Sequence, residues 1–201
     1  SQYRQNGVLT AWCAQHDEKT LLPAKARAYE LPSLSGKESA QIVLFLMSLP
    51  NPSEEIKSAI KHAVTWFEKT KISGVKEIKT YNDKGKIIDK KLVPDKNAKP
   101  IWARFMELKD NTPFFCDRDG IKRLSYDSIS MERKTGYAWY TDEPEEVLKK
   151  YPKWVKKFDI GAANTDKIKK EIKNYFVVAL DGSGDYTSIQ EAINNCSSFP
   201  Y

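Results

Sequence analysis

Two helix starts separated by a single proline-bounded turn constrain this chain more than any other feature. Ser35-Gly-Lys-Glu38 has the spacing of a capping box, and Ile42, Phe45, Leu46 and Leu49 come after it at helical intervals. Pro50 ends that helix. Asn51-Pro-Ser-Glu54 then supplies a cap residue, a proline suited to the first helical position and an acid in the first turn. Ile56, Ile60, Ala63, Val64 and Phe67 make one apolar stripe leading toward Gly74. So short a connection between two amphipathic helices predicts an antiparallel helical hairpin. His62 lies beside the stripe and is read as a packing or surface histidine rather than a catalytic one.

Beyond Gly74 the period changes. Residues 75–81, the turn Asn82-Asp-Lys-Gly85 and residues 86–93 predict a β-hairpin, whose charges mark it as an exposed excursion without chemistry. Residues 101–108 alternate, placing Trp102, Arg104 and Met106 on one strand face and Ile101, Ala103 and Phe105 on the other. Asp117-Arg-Asp-Gly120 reads as a turn, so Arg118 is expected at a loop tip, where binding groups concentrate. After Tyr140, a lysine-rich stretch with Val147, Leu148, Tyr151, Trp154, Val155 and Phe158 predicts a short helix packed by its aromatic stripe. Ile160-Gly-Ala-Ala-Asn-Thr-Asp166 reads as linker, and the module boundary is placed between 142 and 174.

With 40% hydrophobic and 11% aromatic residues among 201, the chain can bury a core. No apolar run approaches the roughly 18 residues of a membrane span, so no membrane partner is expected. A net charge of +6 attracts polyanions, but the lysines are not set in a nucleic-acid-binding motif, and nucleic acid is not expected. Cys13, Cys116 and Cys196 form an odd set that permits at most one disulfide, Cys13 with Cys116, within the first module. His16 and His62 are isolated and no CxxC pair occurs, which argues against a transition-metal site.

Three arginines stand in distinctive surroundings: Arg27 in Lys25-Ala-Arg-Ala-Tyr-Glu-Leu-Pro32, Arg104 in Trp102-Ala-Arg-Phe105, and Arg118 in Cys116-Asp-Arg-Asp-Gly120. Taken singly, each is most simply a surface ion-pair residue. Together, flanked by aromatic residues and turn-formers, they suggest a site for a polycarboxylate, because the planar guanidinium fork matches a carboxylate.

These segments, with Trp12-Cys-Ala-Gln-His-Asp17, Glu38-Ser39 and Arg133-Lys-Thr-Gly-Tyr-Ala-Trp-Tyr140, resemble the C-terminal part of polysaccharide lyase family ten, the pectate lyases, over roughly residues 7–141. The resemblance implies a mainly α fold with minor β, the last part of an (α/α) toroid carrying a β-hairpin and short strands. Residues 176–193 resemble the opening of a pectin methylesterase of carbohydrate esterase family eight, implying the first strand and helix of a truncated right-handed parallel β-helix. The expected organisation is therefore a lyase part at 1–141, a Lys-rich linker at 142–174 and an esterase start at 175–201. The chain is expected to be a piece of a longer protein, beginning inside one module and ending inside the next, with no signal peptide read at Ser1, and a secreted, periplasmic or cell-surface location is expected for the whole.

The implied reaction is β-elimination in polygalacturonate: the proton on C5 leaves, and the glycosidic O4 departs from C4. The developing charge accumulates beside an existing carboxylate, so cations must neutralise that carboxylate. By resemblance, Arg27 is the base, Arg104 and Arg118 bind uronate carboxylates, and calcium assists, with its acidic ligands expected upstream of this chain. An arginine base requires positive surroundings, to which Lys25 on the same extended face would contribute, and implies alkaline activity. Tyr137, Trp139 and Tyr140 are candidates for stacking on sugar rings, with at least one of them in the core. Asp117 and Asp119 lack the ligand spacing of a calcium loop. The expected partner is polygalacturonate or pectin, bound by a monomer, and the isolated chain is expected to be inactive as lyase and as esterase. The alternative is a non-catalytic module that binds acidic polysaccharide.

Overall fold

The structure, a computed structural model, describes residues 1–158. The expected esterase start and the linker beyond residue 158 lie outside the described residues. Ser1–Trp154 form one compact unit, which holds the candidate site.

The elements run β1 (Arg4–Gln5), β2 (Val8–Leu9), α1 (Gly36–Ser48), α2 (Glu54–Thr70), β3 (Val75–Tyr81) and β4 (Ile87–Pro94). They continue with β5 (Trp102–Ala103), β6 (Phe115–Cys116), β7 (Lys122–Arg123), α3 (Met131–Gly136), β8 (Tyr140–Thr141) and α4 (Glu143–Phe158). The strands pair in antiparallel twos: β1 with β2, β3 with β4, β5 with β8, and β6 with β7.

The expected helical hairpin forms. Ser53, not Asn51, caps α2 by accepting from Ile56 N, so Pro52 precedes the helix and Glu54 begins it, and α2 buries Ile60, Ala63, Val64, Trp66 and Phe67. In α1 the capping box is altered: the Ser35 hydroxyl bonds to the Glu38 carboxylate instead of capping a backbone amide. The buried face of α1 is also not the stripe read from sequence, for it consists of Gly36, Ser39, Ala40 and Val43, while Phe45 is exposed. Close approach selects the small residues. A Cβ on Gly36 would lie 2.7 Å from Trp102 Cβ, and the Ser39 hydroxyl bonds both to Trp12 N (2.9 Å) and to Trp12 O (3.1 Å).

The expected mainly α fold, the end of a toroid, is overturned. The described residues are 35% helix and 22% strand, with the strands in small antiparallel sheets. After α2, local order comes from short ladders and from packed aromatic rings rather than from a series of long amphipathic helices. The core there is Phe105, Phe114, Phe115, Tyr126, Ile129 and Trp139, whose ring pairs are each worth about 0.5–1.5 kcal/mol beyond burial. The β3–β4 hairpin is as predicted in extent but not in role. Leu92 packs against this core, and Lys90 is buried at its edge. At the start of the expected linker, α4 buries Pro144, Val147 and Trp154.

Strand alternation also fails at one informative place. Only Trp102–Ala103 is strand, and the chain bends at Arg104–Phe105. Trp102 and Phe105 are both buried, and Arg104 and Phe105 both reach the ring of Tyr137. Cys13 and Cys116 are buried free thiols, and burial pushes Cys13 up to about 12.

Candidate functional site

Arg104 and Arg118 belong to one ladder in which guanidinium groups alternate with phenol rings. Arg118 Cζ stands 5.2 Å from the centre of the Tyr29 ring, and the same ring lies 4.7 Å from Arg133 Cζ. Arg133 is in turn 4.6 Å from the Tyr137 ring, which Arg104 approaches at 4.8 Å. The order is thus Arg118, Tyr29, Arg133, Tyr137, Arg104. Each contact is a cation–π pair, worth about 0.5–2 kcal/mol depending on desolvation.

Local structure explains each position. Arg118 is held in the turn between β6 and β7, closed by Gly120 N donating to Asp117 O (3.1 Å) with Gly120 at φ 73°. The loop bearing Arg27 and Tyr29 lies close against that turn, since a Cβ on Gly120 would come 3.0 Å from Ala28 O. Arg133 stands on α3, whose cap Ser130 accepts from Arg133 N, while Ser130 N and Oγ donate to Asp117. Tyr137, four residues after Arg133, is the extended residue that ends α3. Arg104 N donates to Trp139 O (2.9 Å), which places Arg104 beside the Tyr137–Trp139 segment.

The arginines differ in their partners. Arg104 Nη2 donates to Glu38 Oε1 at 2.7 Å, with the two side chains 23% and 26% exposed. Arg118 forms a bidentate pair with Glu132 (2.8 and 2.9 Å) and reaches the Tyr29 hydroxyl at 3.2 Å. Its pair is open to solvent, at 61% and 59%. The bond to Glu132 holds Arg118 above its ordinary range and Glu132 below its own. Arg133 is 4% exposed, donates from Nε to Cys116 O (3.2 Å), and among the described residues has no ion-pair partner. Its Nη2 and Arg104 Nε are buried without hydrogen-bond partners. A buried guanidinium left without a carboxylate keeps its positive charge uncompensated and raises the potential around it.

The remaining sequence-selected residues fall outside the ladder. Arg27 is solvent-exposed, with Glu30 Oε1 at 3.4 Å, beside a carboxylate rather than in the cation-crowded setting expected of it. Lys25 is exposed on the same loop. Tyr140 packs edge-on to Tyr126 (5.5 Å) and against Phe115, so it belongs to the core layer. Tyr137 is half-buried, and burial raises its phenol. Sequence reasoning passed over Tyr29, Glu38, Glu132 and, above all, Arg133. The four-residue spacing of Arg133 and Tyr137 was the available signal for the last of these.

Metal ligation does not fit these residues. Asp119 is engaged by Arg123 at 2.7 and 3.1 Å and by Ile121 N, and the Arg123 bond lowers it to about 2. Asp117 is engaged by Ser130 and lies 3.7 Å from Arg123. Among the described residues no group of three or more His, Cys, Asp or Glu side chains could hold a metal ion.

Residues 1–148 match the family model described as pectic acid lyase. The chain belongs to the pectic acid lyase family. Among solved structures it is similar to a family 10 polysaccharide lyase from Cellvibrio cellulosa, at 40% identity and a TM-score of 0.66. A mutant of that enzyme, in complex with trigalacturonic acid, matches with the same values. In each case 76% of this chain is covered but 46% of the other, so the chain spans about half the length of these family relatives. No curated protein sequence matches it. Within the family match lie all the ladder residues, Tyr29, Arg104, Arg118, Arg133 and Tyr137.

Proposed function

We propose that this chain is the carboxylate-binding half of a pectate lyase, and that the ladder receives the uronate groups of polygalacturonate. The observation that carries the reading is the series of three guanidiniums sharing two tyrosine rings, whose Arg118 end is open to solvent, while the buried middle one, Arg133, has no carboxylate partner among the described residues and so adds uncompensated positive charge behind it. Successive uronates carry a carboxylate each, and a row of spaced guanidiniums suits a row of carboxylates better than any neutral chain. A substrate carboxylate at the open end would exchange with Glu132, whereas at the Arg104 end it would have to compete with a more sheltered Glu38.

In this reading the parent enzyme cleaves by β-elimination. A base takes the C5 proton, the electron pair forms the C4–C5 double bond, and the C4–O4 bond breaks with O4 protonated as it leaves. Arg27 is the proposed base, a role that requires cations supplied elsewhere in the parent enzyme to outweigh Glu30 beside it, and Lys25 is its neighbour on the loop that carries Tyr29. Calcium, when bound by the parent enzyme, would neutralise carboxylate charge, and none of the steps assigned to these residues runs through it. Support for the substrate comes from the solved relative in complex with trigalacturonic acid. We further propose that the segment from 175 begins a pectin methylesterase, which would expose the carboxylates the ladder needs, and that the parent protein works outside the cytoplasm where the polymer occurs.

Isothermal titration of the 201-residue chain with trigalacturonic acid tests the binding role, alongside an ultraviolet assay for the unsaturated product on polygalacturonate with calcium. Binding without elimination is the expected result. Absence of binding overturns the ladder assignment, and robust elimination overturns the division of labour.

A further inference from the structure

The β3–β4 hairpin carries a lysine where strand patterning calls for an apolar side chain. Lys90 is two residues from Leu92 and so shares its strand face, and Leu92 packs on the aromatic core. Lys90 itself is 5% exposed. Burying an ammonium is costly unless it is bonded, and this one donates to Tyr137 O at 2.7 Å. Tyr137 is the residue at the C-terminal end of α3, where backbone carbonyls lack helical partners and a cation is favoured.

The neighbouring contacts make the bond part of a system. Lys134 O accepts from the Tyr126 hydroxyl at 3.4 Å, and Arg133 O accepts from Trp139 Nε1 at 2.9 Å. The same Tyr126 hydroxyl donates to Glu77 on β3 at 2.9 Å. Asp89 on β4 lies 3.4 Å from Lys134 Nζ, which also bonds to Asp127. The hairpin therefore reaches α3 through Glu77, Asp89 and Lys90, and of these only Lys90 bonds directly to a ladder residue.

We propose that Lys90 is a positioning residue of the arginine ladder, fixing through the Tyr137 carbonyl the ring that Arg104 and Arg133 share. The proposal rests on the uronate-binding reading for its functional consequence, but not for its structural one. A free Tyr137 peptide would let the ring move away from the two cations that share it. With the peptide held, the ring stays there, and the two guanidiniums keep a fixed separation. The charged hairpin thus acts as a wall behind the binding surface rather than as decoration.

The test compares Lys90→Met and Lys90→Arg with the unaltered 201-residue chain by two readings. Without ligand, solvent exchange of the Arg133 Nε–H, protected by its bond to Cys116 O, is followed by NMR beside the Phe67 amide in α2. Lys90→Met is expected to speed the Arg133 exchange at least tenfold and leave Phe67 unchanged, while Lys90→Arg stays near the original. With trigalacturonic acid, Lys90→Met is expected to weaken binding about tenfold. Combined with Tyr137→Leu it should add little more, because the two act through one element. Unchanged Arg133 exchange, equal acceleration at Phe67, or losses that multiply would overturn the proposal. Should Lys90→Met fail to fold, Lys90→Gln is read by the same signals. If the unaltered chain does not bind trigalacturonic acid, the uronate reading fails, and the ligand-free exchange still decides the role of Lys90.

Discussion

The two ends of the ladder use the same chemistry in opposite settings. At one end Arg104 and Glu38 are about three-quarters buried, and the carboxylate also holds Ser35 at the start of α1. At the other, Arg118 and Glu132 are mostly in water, joined by a better-formed bidentate pair. Geometry alone would rank the second as stronger. Solvent reverses the ranking for stability, since screening and side-chain entropy reduce an exposed pair to little, whereas a sheltered partner left alone is penalised. The difference teaches that one end ties the ladder to the helical hairpin, while the other is the end at which the proposed uronate exchange would take place.

Replacing the shared rung should have the largest effect and would erase the comparison. Arg133→Ala removes a buried side chain that touches Tyr29, Tyr137 and Trp139, and thermal or urea unfolding should show a loss of about 3 kcal/mol. Next comes Arg104→Ala, which leaves Glu38 without its cation and should cost about 1–2 kcal/mol in the same measurement. A value near zero would mean that the two ends are equivalent after all. Arg118→Ala should leave the unfolding midpoint unchanged yet weaken trigalacturonic acid binding about tenfold. Glu132→Gln sharpens the contrast further, since it removes the internal competitor and should tighten that binding severalfold in calorimetry.

The smallest effect concerns acid. Asp119 and Glu132 both titrate lower in the folded chain, chiefly through bonds from Arg123 and Arg118. Groups with depressed folded values contribute stability above their unfolded values, near 4, and lose it as pH falls through the folded ones, about 2 for Asp119. The Arg118–Glu132 pair is open to solvent and Asp119 is 40% exposed, so Asp119→Asn should reduce the fall of the midpoint between pH 4 and pH 2 by no more than roughly 2–4 °C. A larger change would show the Asp119–Arg123 pair to be structural.

Legibility tracked the range of the contacts. The α1–α2 hairpin and the extent of the β3–β4 hairpin were readable because caps, prolines and periods act within a few residues. The buried face of α1 was not, because Gly36 and Ser39 face inward to meet Trp102 and Trp12, residues with no signal in the local pattern. Arg104 and Arg118 stood out by their surroundings, and both contact the ladder's tyrosine rings. Arg133 had only the family resemblance of its segment and its four-residue spacing from Tyr137 to mark it, and Lys90 was one charge among many on a strand that looked exposed.

The sequence by itself determined most local elements, the concentration of arginines among aromatic residues and the pectate lyase resemblance that the family match bears out. Tertiary structure decided the mixed architecture in place of a toroid, the order of cations and rings, and which arginines were sheltered. The physical reason is that helix caps and strand turns are satisfied by neighbours in the chain. A guanidinium has no local preference among carboxylates and rings, so its partners, Glu38, Tyr29 and Tyr137, are settled only when distant segments close over the aromatic core.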